Sequence, residues 1–477
     1  MRITQKSMTF GLIIGTRNIF NGAMAVDARK EILSVMQELK LTPILLPSDA
    51  TPHGAVETRA DAALYARLFK EKREEIDGIL VILPNFGDEI GIIETISQAN
   101  LGVPIMVQAC NDEVSKVDVR SRRDAFCGKI SVCNNLYQYG IPFSDTTSHT
   151  SDITGAEFKA DLLRFAASCR TVKGLKGARI GSIGARTPAF QTVRYSEKLL
   201  QASGITVVTC DMSEIIAGAK ALSDDDAAVK ERVEALHAYG TIGSCISKGS
   251  VLRQAKFTET VNRWMAENEC DASAIQCWTS IQDNFGCASC ATMSMMGEAM
   301  MPSACEVDVA GAISMYALTL AANTPSGLLD WNNNYAYEAN KCVCTHCSNY
   351  PKSFMGNDLE IGNLDVLGTV MDKETCFGAI KGHVAPGPMT FFRLSTDDVK
   401  GQIRSYVGEG NFTDDSFGMD GGIAVCEVDE LRKLLSYICK NGFEHHVAMV
   451  RGNVADVVED AISNYLKWDL YKHCSDG

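Results

Sequence analysis

The chain is 477 residues long, 46% apolar, with a formal net charge of −14 and a pI near 5.1. That length is too great for one ordinary core and predicts roughly two to four domains. The negative balance repels phosphate backbones and anionic lipid, so neither nucleic acid nor membrane is an expected partner.

The first apolar run, residues 9–15, is followed by Thr16-Arg17-Asn18 and an amphipathic stretch over 25–39, which reads as strand, loop and helix. The first residues run straight into this strand without the pattern of an export signal, and no stretch reaches the roughly 18 apolar residues of a membrane helix. A cytoplasmic location is expected, and with it reduced thiols for the eighteen scattered cysteines. The strand-helix pattern recurs at 43–47, at 78–83 with its sequel Pro84-Asn85-Phe86-Gly87-Asp88, and at 103–107, so a parallel, doubly wound sheet is predicted. Lys173-Gly174-Leu175-Lys176-Gly177 reads as a glycine-rich linker, and 178–184 as the first strand of a second α/β domain. The loop after that strand holds Arg186, Gln191 and Arg194, suited to an anion or a polyol. The Gly177, Gly181, Gly184 spacing is not a dinucleotide fingerprint, and neither a phosphate loop nor a nucleophile elbow is present. After Pro351 the segments become short and broken by glycine and proline, which fits a β-rich, barrel-like domain, and 453–471 returns to helical spacing. The expected domains are 1–170, 171–350 and 351–477.

Three segments hold the chemistry: Ser303-Ala304-Cys305-Glu306-Val307-Asp308, Gly327-Leu328-Leu329-Asp330-Trp331 and Gly442-Phe443-Glu444-His445-His446. The first two flank an apolar, alanine-rich stretch, 309–322, so the passage reads as strand, helix, strand, with two parallel neighbouring strands expected. Glu306 and Asp330 would then emerge at the carboxyl ends of adjacent strands, where open α/β sheets place their ligands. Two acids in one crevice repel unless a cation or proton lies between them. With the imidazole of His446 closing the cleft, the set suits a Mn²⁺-like ion that polarises a hydroxyl-carbonyl pair. Asp308 is expected to cap the helix that starts near Val309. Adjacent histidines in a regular strand point to opposite faces, so at most one of His445 and His446 is a ligand. Cys287 and Cys290, with Cys342, Cys344, His346 and Cys347, offer a zinc or iron-sulfur alternative. Cys342 and Cys344 alternate as one strand face does, which favours ordinary buried thiols.

At these residues the sequence resembles the L-fucose isomerase and L-arabinose isomerase superfamily, and within it the shorter fucose-isomerase-like branch, over nearly the whole chain. Its markers are Ala304-Cys305-Glu306-Val307-Asp308-Val309, Leu329-Asp330-Trp331, Ile183-Gly184-Ala185-Arg186 with Thr192-Val193-Arg194, and Asn441-Gly442-Phe443-Glu444-His445-His446. The resemblance implies an α/β fold of two Rossmann-like, doubly wound domains and a C-terminal β-rich domain, assembled as trimers or hexamers with shared sites. It implies a Mn²⁺ ion held by Glu306, Asp330 and His446, with His445 beside the substrate and His346 as either a fourth ligand or a substrate contact. Gln276, Trp278, Arg17 and Arg186 complete the expected substrate-binding set, the loops around Arg17 and Pro84-Asn85-Phe86 reaching a neighbour's site.

The implied reaction is aldose-ketose isomerisation of an open-chain sugar through an enediol, with Glu306 and Asp330 as both metal ligands and acid/base pair. The sugar is a neutral (deoxy)aldose or, if Arg17, Arg186 and Arg194 form a local basic pocket, an anionic hexose such as sulfoquinovose. The rival readings are a non-catalytic sugar-binding protein and a cysteine-ligated zinc or iron-sulfur protein.

Overall fold

Residues 3–347, 349–356, 359–416, 418–419 and 421–474 are described by the computed structural model; Met1 and Arg2, which open the N-terminal reading, lie outside them. In the first of two units, Met1–Lys173 with Asp460–Lys467, four apolar runs become β1 (Thr9–Ile14), β2 (Thr42–Ile44), β3 (Gly78–Leu83) and β4 (Ile105–Ala109). They pair parallel in the order β2-β1-β3-β4. Alternate residues of β1 enter two cores: Phe10, Leu12 and Ile14 meet Ile32, Val35 and Phe165, while Ile13 meets Phe69, Ile92 and Val132. Helices therefore cover both faces, which is why these strands read as continuous apolar runs.

The second unit, Gly174–Glu459 with Trp468–Gly477, contains two sheets. β5 (Arg179–Ile183), β6 (Thr206–Cys210), β8 (Ala272–Ile275) and β9 (Ser303–Cys305) form a parallel sheet in the order β6-β5-β8-β9. The other sheet is mixed and has eleven strands: β7 (Thr241–Ile242), β10 (Ser326–Asp330), β11 (Asn333–Asn334), β12 (Lys341–His346), β13 (Glu360–Asn363), β14 (Phe377–His383), β15 (Gly387–Asp397), β16 (Gln402–Phe412), β17 (Gly422–Glu427), β18 (His446–Arg451) and β19 (Asp469–Lys472). Its main path is β10-β18-β15-β16-β17-β14-β13-β7, with β12 on β17 and β19 on β16. The strand-rich C-terminal texture thus belongs to a sheet that also takes in β7 and β10 from before residue 351. Among the described residues no helix is long and apolar enough to cross a membrane.

Three local expectations are corrected. The strand-helix-strand passage is present, but β10 is not a parallel neighbour of β9; it pairs antiparallel with β18 in the mixed sheet. The connecting helix, Val309–Ala322, is buried on every side from Val309 to Ala321 and packs against β5, β8 and β9 as well as β10, β15 and β18. A helix apolar all round lies between two layers, so it carries the chain from one sheet to the other. The supposed linker is helical: Ala156–Leu175 runs through Gly174, where the Leu320 side chain lies 2.5 Å from the place a Cβ would take. Helical spacing also fails to persist to Tyr471, because Lys467 turns left-handed (φ 58°) and the chain continues as β19.

Candidate active site

β9 ends at Cys305, and the next two residues, Glu306 and Val307, both have left-handed backbones with φ of 59° and 57°. For a β-branched residue this is a genuine outlier, and each such residue costs about 1–3 kcal/mol. Asp308 holds the turn, its amide donating to the Cys305 carbonyl at 2.9 Å and its Oδ1 accepting from Gly311 N at 2.9 Å as the helix cap. Glu306 is 3% exposed. Its Oε1 accepts from Trp278 Nε1 (3.2 Å) and from the Cys347 thiol (3.7 Å), while Oε2 lies 3.0 Å from His446 Nε2.

Sheet register supplies the remaining groups. Asp330, last in β10, is the cross-strand partner of His446, first in β18. Asp330 Oδ1 lies 3.7 Å from His446 Nε2 and 2.9 Å from Nδ1 of His346, which ends β12. The two imidazoles sit 4.9 Å apart, nearly perpendicular. Behind His446, Nδ1 meets Asp308 Oδ2 at 2.8 Å, and Asp308 is clamped by Arg393 of β15 through Nη1 (2.5 Å) and Nη2 (3.1 Å). Arg393 Nε donates to Glu444 Oε2 (3.2 Å), whose other oxygen accepts from Ser395 Oγ (2.8 Å).

The electrostatics favour a cation. Burial alone would lower the pKa of His446, but its Nδ1 bond to Asp308 and the facing carboxylates of Glu306 and Asp330 hold it up at about 9. Burial would lower His346 as well, but the charge and hydrogen bond of Asp330, together with neighbouring negative groups that include Glu306, raise it well above its ordinary value. His445, half-buried beside these rings, is lowered by desolvation and by the charge of His446.

Glu306 Oε2, His346 Nε2 and His446 Nε2 are buried without a hydrogen-bond partner. They belong to a group of ligand atoms within 4.8 Å of one another; Asp330, His445 and His446 form a second such group. Orphaned buried acceptors are costly unless a ligand satisfies them, and oxygen with imidazole nitrogen is the donor set of a divalent transition ion. The residues present therefore fit a metal. Among the described residues both groups of three are acids and histidines, which corrects the cysteine alternative. Cys342 and Cys344 pack in one core, and Cys287 and Cys290 in another against which Cys347 also packs.

The acids and histidines open into a cavity of about 400 Å³ whose walls include Trp278, His346, His445, Phe190 and Lys381. Lys381 pairs with Asp365. Other expected contacts fall elsewhere. Arg186 Nη1 donates to the carbonyls of Thr187 (3.2 Å) and Phe190 (2.9 Å), shaping the loop that presents Phe190 rather than lining the cavity. Gln276 accepts from Ala185 N at 3.1 Å and lines a different cleft, of about 830 Å³, with Asp211 and Lys220. Arg17 belongs to the first unit, where its guanidinium lies 4.2 Å over Phe86 and donates to Gly87 O at 3.1 Å. Arg186 and Arg194 do not line the cavity, and among the described residues its wall includes Lys381.

Sequence reasoning gave no site role to Arg393, Glu444 or Lys381, placed Cys347 only in the cysteine alternative, and missed the second role of Asp308. Two signals were present: Arg393 stands alone among Phe391, Phe392 and Leu394, and Glu444 alternates with His446 as residues of one strand face do.

Residues 11–176 match the family model described as fucose/sulfoquinovose isomerase, N-terminal domain, and 344–473 match that of L-fucose isomerase, C-terminal domain. A sulfoquinovose isomerase of Priestia aryabhattai is 26% identical over 396 residues, 81% of this chain and 83% of that protein. One from Alkalicoccus urumqiensis is 24% identical over 363 residues, 75% and 78% of the two chains. Among solved structures, an ABC-transporter solute-binding protein from Actinobacillus succinogenes with bound D-allose is 13% identical, covering 57% of this chain and 78% of its own, with a TM-score of 0.17. No common fold follows at that score.

Proposed function

This chain belongs to the fucose-isomerase-like superfamily of aldose-ketose isomerases, and we propose that it isomerises an open-chain anionic aldohexose of the sulfoquinovose type through an enediol. The observation that carries the reading is the convergence of Glu306 Oε2, His346 Nε2 and His446 Nε2, all buried and without hydrogen-bond partners. Glu306, Asp330 and His446 would hold a divalent ion such as Mn²⁺, with His346 as fourth ligand, and the ion would polarise O1 and O2 of the sugar. The protein's own groups move the hydrogens. One of the two carboxylates, Glu306 or Asp330, takes the hydrogen of C2 as a proton and returns a proton to C1. The other acid carries the hydroxyl proton from O2 to O1, so that aldose and ketose balance. Trp278 and Cys347 donate to Oε1 of Glu306 and so fix which oxygen faces the substrate. His445 and Phe190 wall the substrate side.

The architecture in this reading is two Rossmann-like parts, 1–170 and 171–350, and a barrel-like part, 351–477, with the acids from the second and His446 from the third. The working form is a cytoplasmic homo-oligomer, trimer or hexamer, in which the loops around Arg17 and Phe86 reach a neighbour's site. A neutral deoxyaldose is the second substrate reading, favoured by the pairing of Lys381 with Asp365.

A substrate panel separates the two. Assayed with Mn²⁺ against sulfoquinovose, L-fucose and L-arabinose, the protein is expected to produce ketose from sulfoquinovose with the highest kcat/KM. Lys381→Gln should lower that kcat/KM roughly 10-fold, the effect of losing one charge-assisted hydrogen bond, and leave neutral sugars unchanged. Preference for a neutral sugar, unaltered in Lys381→Gln, would move the assignment to the second reading.

A further inference from the structure

We propose that Asp308, clamped by Arg393 and Glu444, is a positioning residue that fixes the tautomer of His446 and thereby makes its Nε2 a ligand atom. The inference rests on the metal site proposed above and extends it to residues with no place in the reaction. Capping the helix Val309–Ala322 requires only one oxygen of Asp308. The carboxylate is instead saturated. Oδ1 accepts from Gly311 N and Arg393 Nη2, and Oδ2 accepts from Arg393 Nη1 and His446 Nδ1, four donors for four lone-pair positions.

Asp308, Arg393 and His446 are each 0% exposed and Glu444 is 4% exposed. Burying a guanidinium is expensive and is sustained only by close partners, so this arrangement is over-determined for a cap. The planar fork of Arg393 holds the Asp308 carboxylate in one orientation, with Glu444 on the remaining Nε. An acceptor-only group at 2.8 Å obliges Nδ1 of His446 to keep its hydrogen, so whenever the ring is neutral the lone pair lies on Nε2, 3.0 Å from Glu306 Oε2. A carboxylate behind a ligating imidazole also raises its basicity. An amide at position 308 removes the constraint, because its NH₂ can donate to Nδ1 and leave the hydrogen on Nε2.

The test uses full-length Asp308→Asn, with Glu444→Gln as a second variant that loosens Arg393 and leaves the cap intact. Calorimetric titration of chelator-treated protein with Mn²⁺ gives the affinity. ¹⁵N-histidine NMR of the chelator-treated protein reports whether Nδ1 or Nε2 of the neutral His446 ring carries hydrogen, a signature that a merely structural role does not move. Asp308→Asn should bind Mn²⁺ roughly 10- to 100-fold more weakly and lose the Nδ1–H signal, and Glu444→Gln should weaken binding several-fold. Unchanged affinity and spectrum in either folded variant overturns the proposal while leaving the metal site standing. Absence of Mn²⁺ binding by the unaltered protein removes the metal site and this proposal together.

Discussion

Glu306→Gln is expected to lower kcat by roughly 10²-fold or more, the usual loss on removing a general acid/base group. The substitution preserves volume, and its carbonyl oxygen can still accept from Trp278, so the left-handed turn at Glu306 and Val307 has no reason to rearrange. What disappears is the charge and basicity of Oε2, the atom facing His446 Nε2 at 3.0 Å. The amide also presents hydrogens where an unpaired oxygen stood. Ketose formation at saturating sugar, with a thermal melt to confirm folding, measures the effect. Turnover near that of the unaltered protein would reduce Glu306 to a structural acid.

Asp330→Asn should also lower kcat roughly 10²-fold, but with a second component. Asp330 backs His346 through Nδ1 at 2.9 Å, so the amide frees the His346 ring to place its hydrogen on either nitrogen. Mn²⁺ affinity should fall together with turnover. Titrating Mn²⁺ separates the parts: saturation restores the site's occupancy and leaves the loss of the acid/base group. If saturating Mn²⁺ brought kcat back to its full value, Asp330 would be a ligand alone.

A strand such as β3 was legible because it is an unbroken apolar run ended by proline, and a parallel strand under two helical layers has no other pattern to show. The acids of the site were legible for the same reason, being the polar residues that follow such runs. The route by which they meet was not. Alanine-rich sequence over 309–322 announces a buried helix, and nothing local to it tells a return to the same sheet from passage to another. The pairing of Asp330 with His446 is a matter of register between β10 and β18, and the clamp of Arg393 on Asp308 spans 85 residues. Neither leaves a trace within a window of sequence. The left-handed pair Glu306-Val307 was hidden more thoroughly, since a β-branched residue is the last expected there and only the surrounding packing imposes it. The basic pocket was sought at arginines of a conspicuous loop, whereas Arg186 satisfies backbone carbonyls and the lysine on the described cavity wall, Lys381, lies on β14.

The measurement closest to the centre of this account follows sulfoquinovose turnover by NMR in chelator-treated protein as Mn²⁺ is returned in steps. The metal-free protein should be inactive. Ketose formation should rise with bound Mn²⁺ and level off at about one ion per chain, the occupancy expected of a single site built from Glu306, Asp330, His346 and His446. Full turnover before any metal is returned would contradict the account, because the orphaned atoms at the core of the cavity would then have no part in the reaction.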